Sequence, residues 1–151
     1  MRPRGVLRSM RALLVTVLVA LAVPAAAQAS PGFTVPSHNT TCGILSGDVA
    51  EAGAVLYCYS SSFTTGSIYD GVGVVKLGRH GKARRTGAGN DILLYIGGYN
   101  GEEAARSKRP VLAYGDVFER RGYCCKSRDT GLTCRRDGHG FFLSRERQTL
   151  F

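Results

Sequence analysis

Five cysteines carry the clearest chemistry in this chain, and three of them lie in the stretch GYCCKSRDTGLTC, residues 122–134. An odd number of cysteines cannot all pair within one chain, so at least one thiol stays free or joins a second chain. Adjacent residues of a strand point to opposite faces, so only one of Cys124 and Cys125 can share a face with Cys134. The available chemistry is disulfide bonding, provided that the protein folds in an oxidising compartment.

A tight turn on RDTG predicts which cysteine pairs. A turn centred between Asp129 and Thr130 places Cys125 opposite Cys134 and leaves Cys124 on the other face. Directly opposed residues of antiparallel strands lie roughly 4.5 to 5.5 Å apart at Cα, a separation that a disulfide tolerates. A three-residue loop would shift the register by one and spoil this pairing.

The same construction places Cys42 opposite Cys58, across the loop GDVAEAG. The economical interpretation is two hairpin disulfides, each contributing on the order of 3 kcal/mol by restricting the unfolded chain. Cys124 is then a free thiol, either buried as a small apolar side chain or exposed and able to link two chains. Other connectivities remain open, including a strained bond between Cys124 and its neighbour Cys125.

Other residues that could do chemistry form weaker patterns. The triplet DTG at Asp129 matches the aspartic protease signature, but that chemistry needs two such loops whose carboxylates share a proton, and one copy is present. The three histidines, His38, His80 and His139, lack the spacing of a metal-ligand set, so no metal or cofactor site is predicted. A nuclease-like site would need His139 and Glu119 brought together beside the nearby arginines.

The start of the chain predicts the compartment. Four arginines without an acidic residue precede an apolar run of about a dozen residues, and PAAAQAS then ends in a small-x-small pattern. A membrane-spanning helix needs roughly 20 apolar residues, whereas this run breaks at Pro24. We expect residues 1–29 to be a helical signal peptide and 30–151 to be a single secreted domain without a transmembrane segment.

Turn residues predict the architecture of that domain. The chain has 20 glycines, and the apolar stretches between turn signals are short and rich in β-branched and aromatic residues, which is typical of strands. The expected fold is all-β, a small antiparallel sandwich or barrel of short strands and hairpins. The window NGEEAARSK, residues 100–108, could form at most one short helix. No internal repeat is evident.

Charge is distributed unevenly along the chain. The formal charge is +9, and the leader supplies four arginines, which leaves +5 for the remainder. Residues 30–104 carry five basic and six acidic side chains, or −1, whereas residues 105–151 carry eleven and five, or +6. A basic half could bind nucleic acid, anionic envelope polymer or an acidic protein. The alternative is a solvated surface, because short basic groups on alternating strands are expected to scatter over both faces.

Two segments resemble a known family. The sequence FTVPSHNTTCGI resembles the opening F-x-x-P-S-G-N-I-x-C-x-I, and VLAYGDVFERRGYCCKSRDTGLTCRRDGHGFFLSRERQTLF resembles the closing L-x-Y-G … F-x-C-x-S … G-V-T-C … G-H-G-F-x-L-S-R, of short secreted actinobacterial proteins. Their domain has no known function. His38 stands where that family usually has glycine, and a further cysteine pair common in the middle of the family is missing here.

Carried over by position, Cys42, Cys58, Cys125 and Cys134 fall on cysteines of the family, while Cys124 stands where another residue is usual. The resemblance therefore implies the same two disulfides as the geometry. It also implies a fold and a compartment, but it supplies no chemistry.

Two function classes follow from these observations. The first is a non-catalytic binding or structural module of the extracellular space or envelope, whose partner is an anionic polymer or an acidic protein. The second is a small secreted hydrolase that uses His139 with Glu119 and the nearby arginines Arg120 and Arg121. The sequence holds no coherent triad, metal set or carboxylate pair, which favours the binding module.

The leader yields a direct prediction. Protein recovered from the culture medium should begin at Ser30, because the small-x-small pattern ends at Ala29. N-terminal sequencing checks this, and an intact Met1 or a lipid-linked first residue would contradict it.

Overall fold

A computed structural model describes residues 30–46, 53–63, 73–87 and 109–151, together with Ile92 and Ile96. The predicted signal peptide, 1–29, and the predicted helical window, 100–108, lie outside the described residues.

The described residues form ten β-strands and one 3₁₀ turn, Ser61–Phe63. In chain order the strands are β1 (Gly32–Thr34), β2 (Thr40–Leu45), β3 (Val55–Ser60), β4 (Val74–Leu77), β5 (Arg84–Arg85), β6 (Val117–Arg120), β7 (Tyr123–Arg128), β8 (Gly131–Arg136), β9 (His139–Leu143) and β10 (Gln148–Leu150).

The strands form two five-stranded antiparallel sheets, each of which follows the order of the chain. The N-terminal sheet runs β1-β2-β3-β4-β5 and the C-terminal sheet runs β6-β7-β8-β9-β10. The all-β prediction is confirmed. Neither sheet closes on itself, so the structure is consistent with a sandwich and not with the barrel that the sequence also allowed. The two sheets have the same topology, a repeat that the sequence does not reveal.

Short turns connect the strands of the C-terminal sheet. Arg121 and Gly122 join β6 to β7, and Asp137 and Gly138 join β8 to β9, with positive φ at all four residues. Positive φ at both central residues matches the right-handed twist of the flanking strands. These turns fix the register, and a fixed register decides which side chains face the other sheet.

The core lies between the sheets and contains both disulfides. Cys42 is bonded to Cys58, and Cys125 is bonded to Cys134, with Cα atoms 4.1 and 4.0 Å apart. All four cysteines have no exposed surface. Each disulfide joins the second and third strands of its sheet.

Equivalent side chains flank the two disulfides. In the N-terminal sheet Phe33 lies opposite Cys42, and in the C-terminal sheet Phe118 lies opposite Cys125. The rings of Phe33 and Phe118 contact each other across the sandwich, with centroids 4.8 Å apart. This separation is typical of a favourable aromatic pair. The two sheets therefore pack against each other through the phenylalanines that lie beside their disulfides.

The sheets are also joined by hydrogen bonds. At one edge, the backbone of Thr34 receives a bond from the N–H of Leu112 and donates one to the carbonyl of Pro110. In the core, the hydroxyl of Tyr123 donates to the carbonyl of Ala54 at 2.7 Å. A buried tyrosine needs such a partner for its polar end, so Tyr123 ties the C-terminal sheet to the chain before β3.

The two sheets differ on their outer sides. The outer side of the N-terminal sheet is buried, and Tyr57, Tyr59 and Val74 form there a second apolar cluster with Ile96. Nothing in the described part of the chain covers the outer side of the C-terminal sheet in this way. Along β7, buried and exposed residues alternate strictly.

The disulfide pattern gives a stability prediction. Cys125→Ser should lower the free energy of unfolding by about 2 to 5 kcal/mol, because it removes a buried disulfide and leaves Cys134 without a partner. The matched control is Cys124→Ser, the same change one residue away on the exposed side, which should leave stability nearly unchanged. Urea unfolding of both variants checks this. Equal losses, or a larger loss for Cys124→Ser, would contradict the pairing.

Candidate binding face and cleft

The open side of the C-terminal sheet carries a group of basic and aromatic residues, here called the basic face. Lys126, Arg128 and Arg135 are exposed there. They share this side because Lys126 and Arg128 alternate with buried residues along β7, and Arg135 lies opposite Cys124 on β8. Glu119 is the acidic side chain that the paired positions bring to the same side.

The strands of this sheet carry basic residues on both sides, as expected, but three of the five lie on the open side. Lys126, Arg128 and Arg135 share that side because β7 and β8 pair around a two-residue turn, which aligns the outward positions of the two strands. Arg120 and Arg136 lie on the opposite side. The guanidinium of Arg136 stacks there on the ring of Tyr123 at 4.6 Å and donates to the carbonyl of Arg121.

Two phenylalanines lie flat on glycines of the basic face. A Cβ atom at Gly131 would lie 2.7 Å from Cζ of Phe142, and a Cβ at Gly140 would lie 3.0 Å from the ring of Phe151. Backbone hydrogen bonds of 2.8 and 2.9 Å pair Gly140 with Phe151. An aromatic ring over a cross-strand glycine covers backbone that would otherwise be exposed. At these two points the basic face therefore presents an aromatic ring over glycine backbone.

Each ring also lies beneath an arginine. The guanidinium carbon of Arg147 is 5.1 Å from the ring centroid of Phe142, and that of Arg135 is 5.5 Å from that of Phe151. Both distances allow a cation–π attraction. A stacked guanidinium keeps the N–H donors along its edge, which can bind a carboxylate or phosphate.

Cys124 is exposed on the basic face, the second of the two alternatives left open by the sequence. Desolvation raises the pKa of its thiol, and the neighbouring carboxylate of Glu119 raises it further by its charge and by accepting a hydrogen bond. The thiol is therefore protonated at neutral pH. Since the thiolate is the reactive form, this environment slows disulfide exchange at Cys124.

A cleft of about 650 Å³ opens at one end of the sandwich, next to the basic face. Four chain segments contribute to it: the loop between β1 and β2, the turn before β6, the turn between β7 and β8, and the loop between β9 and β10. Its lining residues are Val35, Ser37, Asn39, Thr40, Tyr114, Arg128, Asp129, Thr130, Gly131, Leu132, Phe142, Leu143, Ser144, Arg145, Glu146 and Arg147.

Local hydrogen bonds fix the shape of the cleft. The hydroxyl of Ser144 accepts bonds from the backbone N–H groups of Glu146 and Arg147, at 3.3 and 3.0 Å, which holds the loop between β9 and β10. The carboxylate of Asp129 accepts a bond of 2.9 Å from the N–H of Thr130, which holds the turn between β7 and β8. Asp129 of the DTG triplet is thus placed as a turn residue.

Tyr114 enters the cleft from a β-turn. The N–H of Asp116 donates to the carbonyl of Ala113, and Gly115 has a φ of +96°. This conformation is that of a type II turn, which needs glycine at its third position. The N–H of Gly115 also donates to the carbonyl of Ser127. The turn therefore places Tyr114 beside the end of β7.

The hydrolase alternative requires Glu119 and His139 to meet, and the structure does not bring them together. Glu119 lies on β6 and His139 on β9, with two strands between them, which corresponds to about 14 Å at the usual strand spacing. They also point to opposite sides of the sheet, because Glu119 faces Cys124 whereas His139 faces Arg136. Arg120 lies on the side of His139, opposite Tyr123.

The other histidines lie on exposed turns. His38 has a φ of +55°, a backbone conformation that favours glycine, which accounts for the glycine expected at this position from the resemblance. His80 is exposed in the loop between β4 and β5. Neither lines the cleft.

The described residues contain neither a metal-ligand cluster nor a membrane-spanning helix. Within the described ranges, no three His, Cys, Asp or Glu side chains come together as metal ligands would. No helix among those residues is long and apolar enough to span a membrane.

Sequence reasoning missed the contribution of Tyr114, Arg145 and Arg147 to the cleft. The available signals were the AYGD turn and the SRER loop. Neither signal shows that the two segments meet, because they are about 30 residues apart in the sequence and come together only when the strands between them fold back on one another.

Part of the chain is similar to a protein family whose function is unknown. No curated protein and no solved structure matches the chain significantly. Residues 95–151 match the model of a family of unknown function, DUF6636. The match includes all five strands of the C-terminal sheet, so the basic face lies entirely within the part of the chain that is similar to this family.

Proposed function

We propose that this protein is a secreted, disulfide-stabilised β-sandwich module that binds an anionic polymer of the cell envelope through its basic face. The observation that carries the proposal is the gathering of Lys126, Arg128, Arg135 and Arg147 on the one sheet face that the described chain leaves open. The proposal concerns binding and includes no catalytic step.

The charge of the face fits an extended anionic partner. The basic face has four cationic side chains, three on β7 and β8 and one, Arg147, in the loop after β9. The carboxylate of Glu119 on β6 lies on the same side. No hydrogen bond or ion pair joins Arg128, Arg135 or Arg147 to an acidic side chain within the described ranges. Their charges are therefore available to a ligand, and a basic surface that lacks internal partners attracts polyanions at long range.

The shape of the face supports the same partner. Phe142 and Phe151 cover glycine backbone, and the guanidinium groups of Arg147 and Arg135 lie over their rings. Arginines that already contact a ring lose less side-chain entropy when they bind an extended chain than unrestrained ones do. The N-terminal sheet cannot serve in this way, because its outer side is already buried under an apolar cluster.

The disulfides support an extracellular location. Both lie in the core with no exposed surface on any of the four cysteines, and stable disulfides form in oxidising compartments. The predicted signal peptide provides the route of export. The exposed thiol of Cys124 is the group through which two copies of the secreted form would be linked, by a disulfide that its raised pKa makes slow to form.

Salt dependence tests the proposal. Binding to heparin, used as a defined anionic glycopolymer, should weaken steeply as salt rises, because binding releases condensed counterions. Replacing Lys126 and Arg135 by serine should reduce the slope of log affinity against log salt by roughly two, one unit for each lost contact. Affinity chromatography or fluorescence titration at several salt concentrations measures this slope.

The matched control replaces Arg79 and Lys82 by serine. These two exposed basic residues lie in the loop between β4 and β5, so the net charge changes equally while the basic face stays intact. The control should bind like the unaltered protein. Equal losses in both double variants, salt-independent retention, or tighter binding to polyaspartate than to heparin would contradict the proposal, the last by favouring an acidic protein as partner.

A further inference from the structure

We infer that the cleft at the end of the sandwich binds a single sugar unit that carries a carboxylate or phosphate. This inference rests on the proposed function and deepens it: the cleft would recognise one unit of the polymer, whereas the basic face supplies charge attraction along it.

Three guanidinium groups provide the anion site. Arg128, Arg145 and Arg147 all line the cleft, and all three are exposed. None has an acidic hydrogen-bond or ion-pair partner in the described part of the chain. An arginine fork binds the two oxygens of a carboxylate or phosphate in a bidentate manner, so the presence of three arginines in one lining favours an anionic group over a neutral one.

The acidic residues of the cleft argue against a bare polyanion. Asp129 and Glu146 line it together with the arginines, and their carboxylates would repel a ligand that is negative at every position. They can instead accept hydrogen bonds from hydroxyl groups. A ligand with one anionic group and several hydroxyls satisfies both sets of side chains, and an acidic sugar is such a ligand.

Tyr114 provides the surface for the sugar ring. Its side chain is 52% exposed, although the turn around it is fixed by two backbone hydrogen bonds. An ordered tyrosine that leaves half of its surface in water contributes little to the core. Its ring can cover the C–H groups of a pyranose, and burial of that apolar area favours binding. Ser37 and Asn39 on the opposite loop add polar groups.

The size and position of the cleft fit this ligand. A volume of about 650 Å³ lies in the range typical of small-molecule sites, about 300 to 1,000 Å³. Phe142 and Gly131 belong to both the cleft and the basic face. A glycan chain whose terminal unit occupies the cleft can therefore continue over Phe142 onto the basic face.

Titration with short saccharides tests the inference. The probes are galacturonic acid and glucose 1-phosphate, which carry a single anionic group as a carboxylate and as a phosphate, with maltotriose as the neutral control. Amide chemical shifts of the labelled protein should move around Tyr114, Asp129 and Arg145 with at least one charged probe and not with maltotriose. Which charged probe binds more tightly identifies the source of the anion.

Variants separate the cleft from the basic face. Tyr114→Ala and Arg145→Ser should each weaken binding of the charged probe about tenfold, whereas Lys82→Ser should not. Tyr114→Ala should also leave the salt slope of heparin binding unchanged, because no charge is lost. Conversely, the Lys126 and Arg135 double variant should retain saccharide binding while heparin binding falls.

The two proposals fail in different ways. If no charged probe moves the cleft signals at millimolar concentration, or if maltotriose binds equally well, the inference about the cleft is wrong even when heparin binding persists. If the charged probes bind in the cleft but heparin binding does not depend on Lys126 and Arg135, the inference holds for a small ligand and the proposed role of the basic face is wrong.

Discussion

The two disulfides, each at the centre of the inner side of a sheet, decide which side of every neighbouring strand faces the core. Cys42 and Cys58 fix one sheet, and Cys125 and Cys134 fix the other. A disulfide between directly opposed residues allows a single register, and the side-chain period of two then assigns inner and outer positions along the whole strand. The phenylalanine beside each disulfide contacts its counterpart in the other sheet. The two sheets therefore pack together at the positions where the disulfides fix the strand register.

The functional surfaces follow from that assignment. With Cys125 inward, Lys126 is outward, and the same parity carries Arg128 and Arg135 to the open side. The two sheets share one topology, but their outer sides differ. The outer side of the N-terminal sheet is buried in an apolar cluster, whereas that of the C-terminal sheet carries charged and aromatic side chains.

The hairpin register could be predicted from the sequence because a two-residue turn leaves one parity for Cys125 and Cys134. The all-β class could be predicted from short apolar runs between turn residues. The basic face was missed because it depends on the registers of several hairpins at once. The cleft was missed because four segments that are separate in the sequence meet only after the sheets stack. The common topology of the two sheets was missed because residues between their strands differ in number and kind.

The most direct test of this account is the location of the free thiol. The folded protein is alkylated, which blocks the free thiol and prevents disulfide exchange, then digested with trypsin under non-reducing conditions and analysed by fragmentation mass spectrometry. The account predicts that fragment 122–126, linked by a disulfide to fragment 129–135, carries the alkyl group on Cys124. An alkyl group on Cys125 would mean that the register is shifted by one, which would turn Lys126 and Arg128 toward the core and remove the basic face.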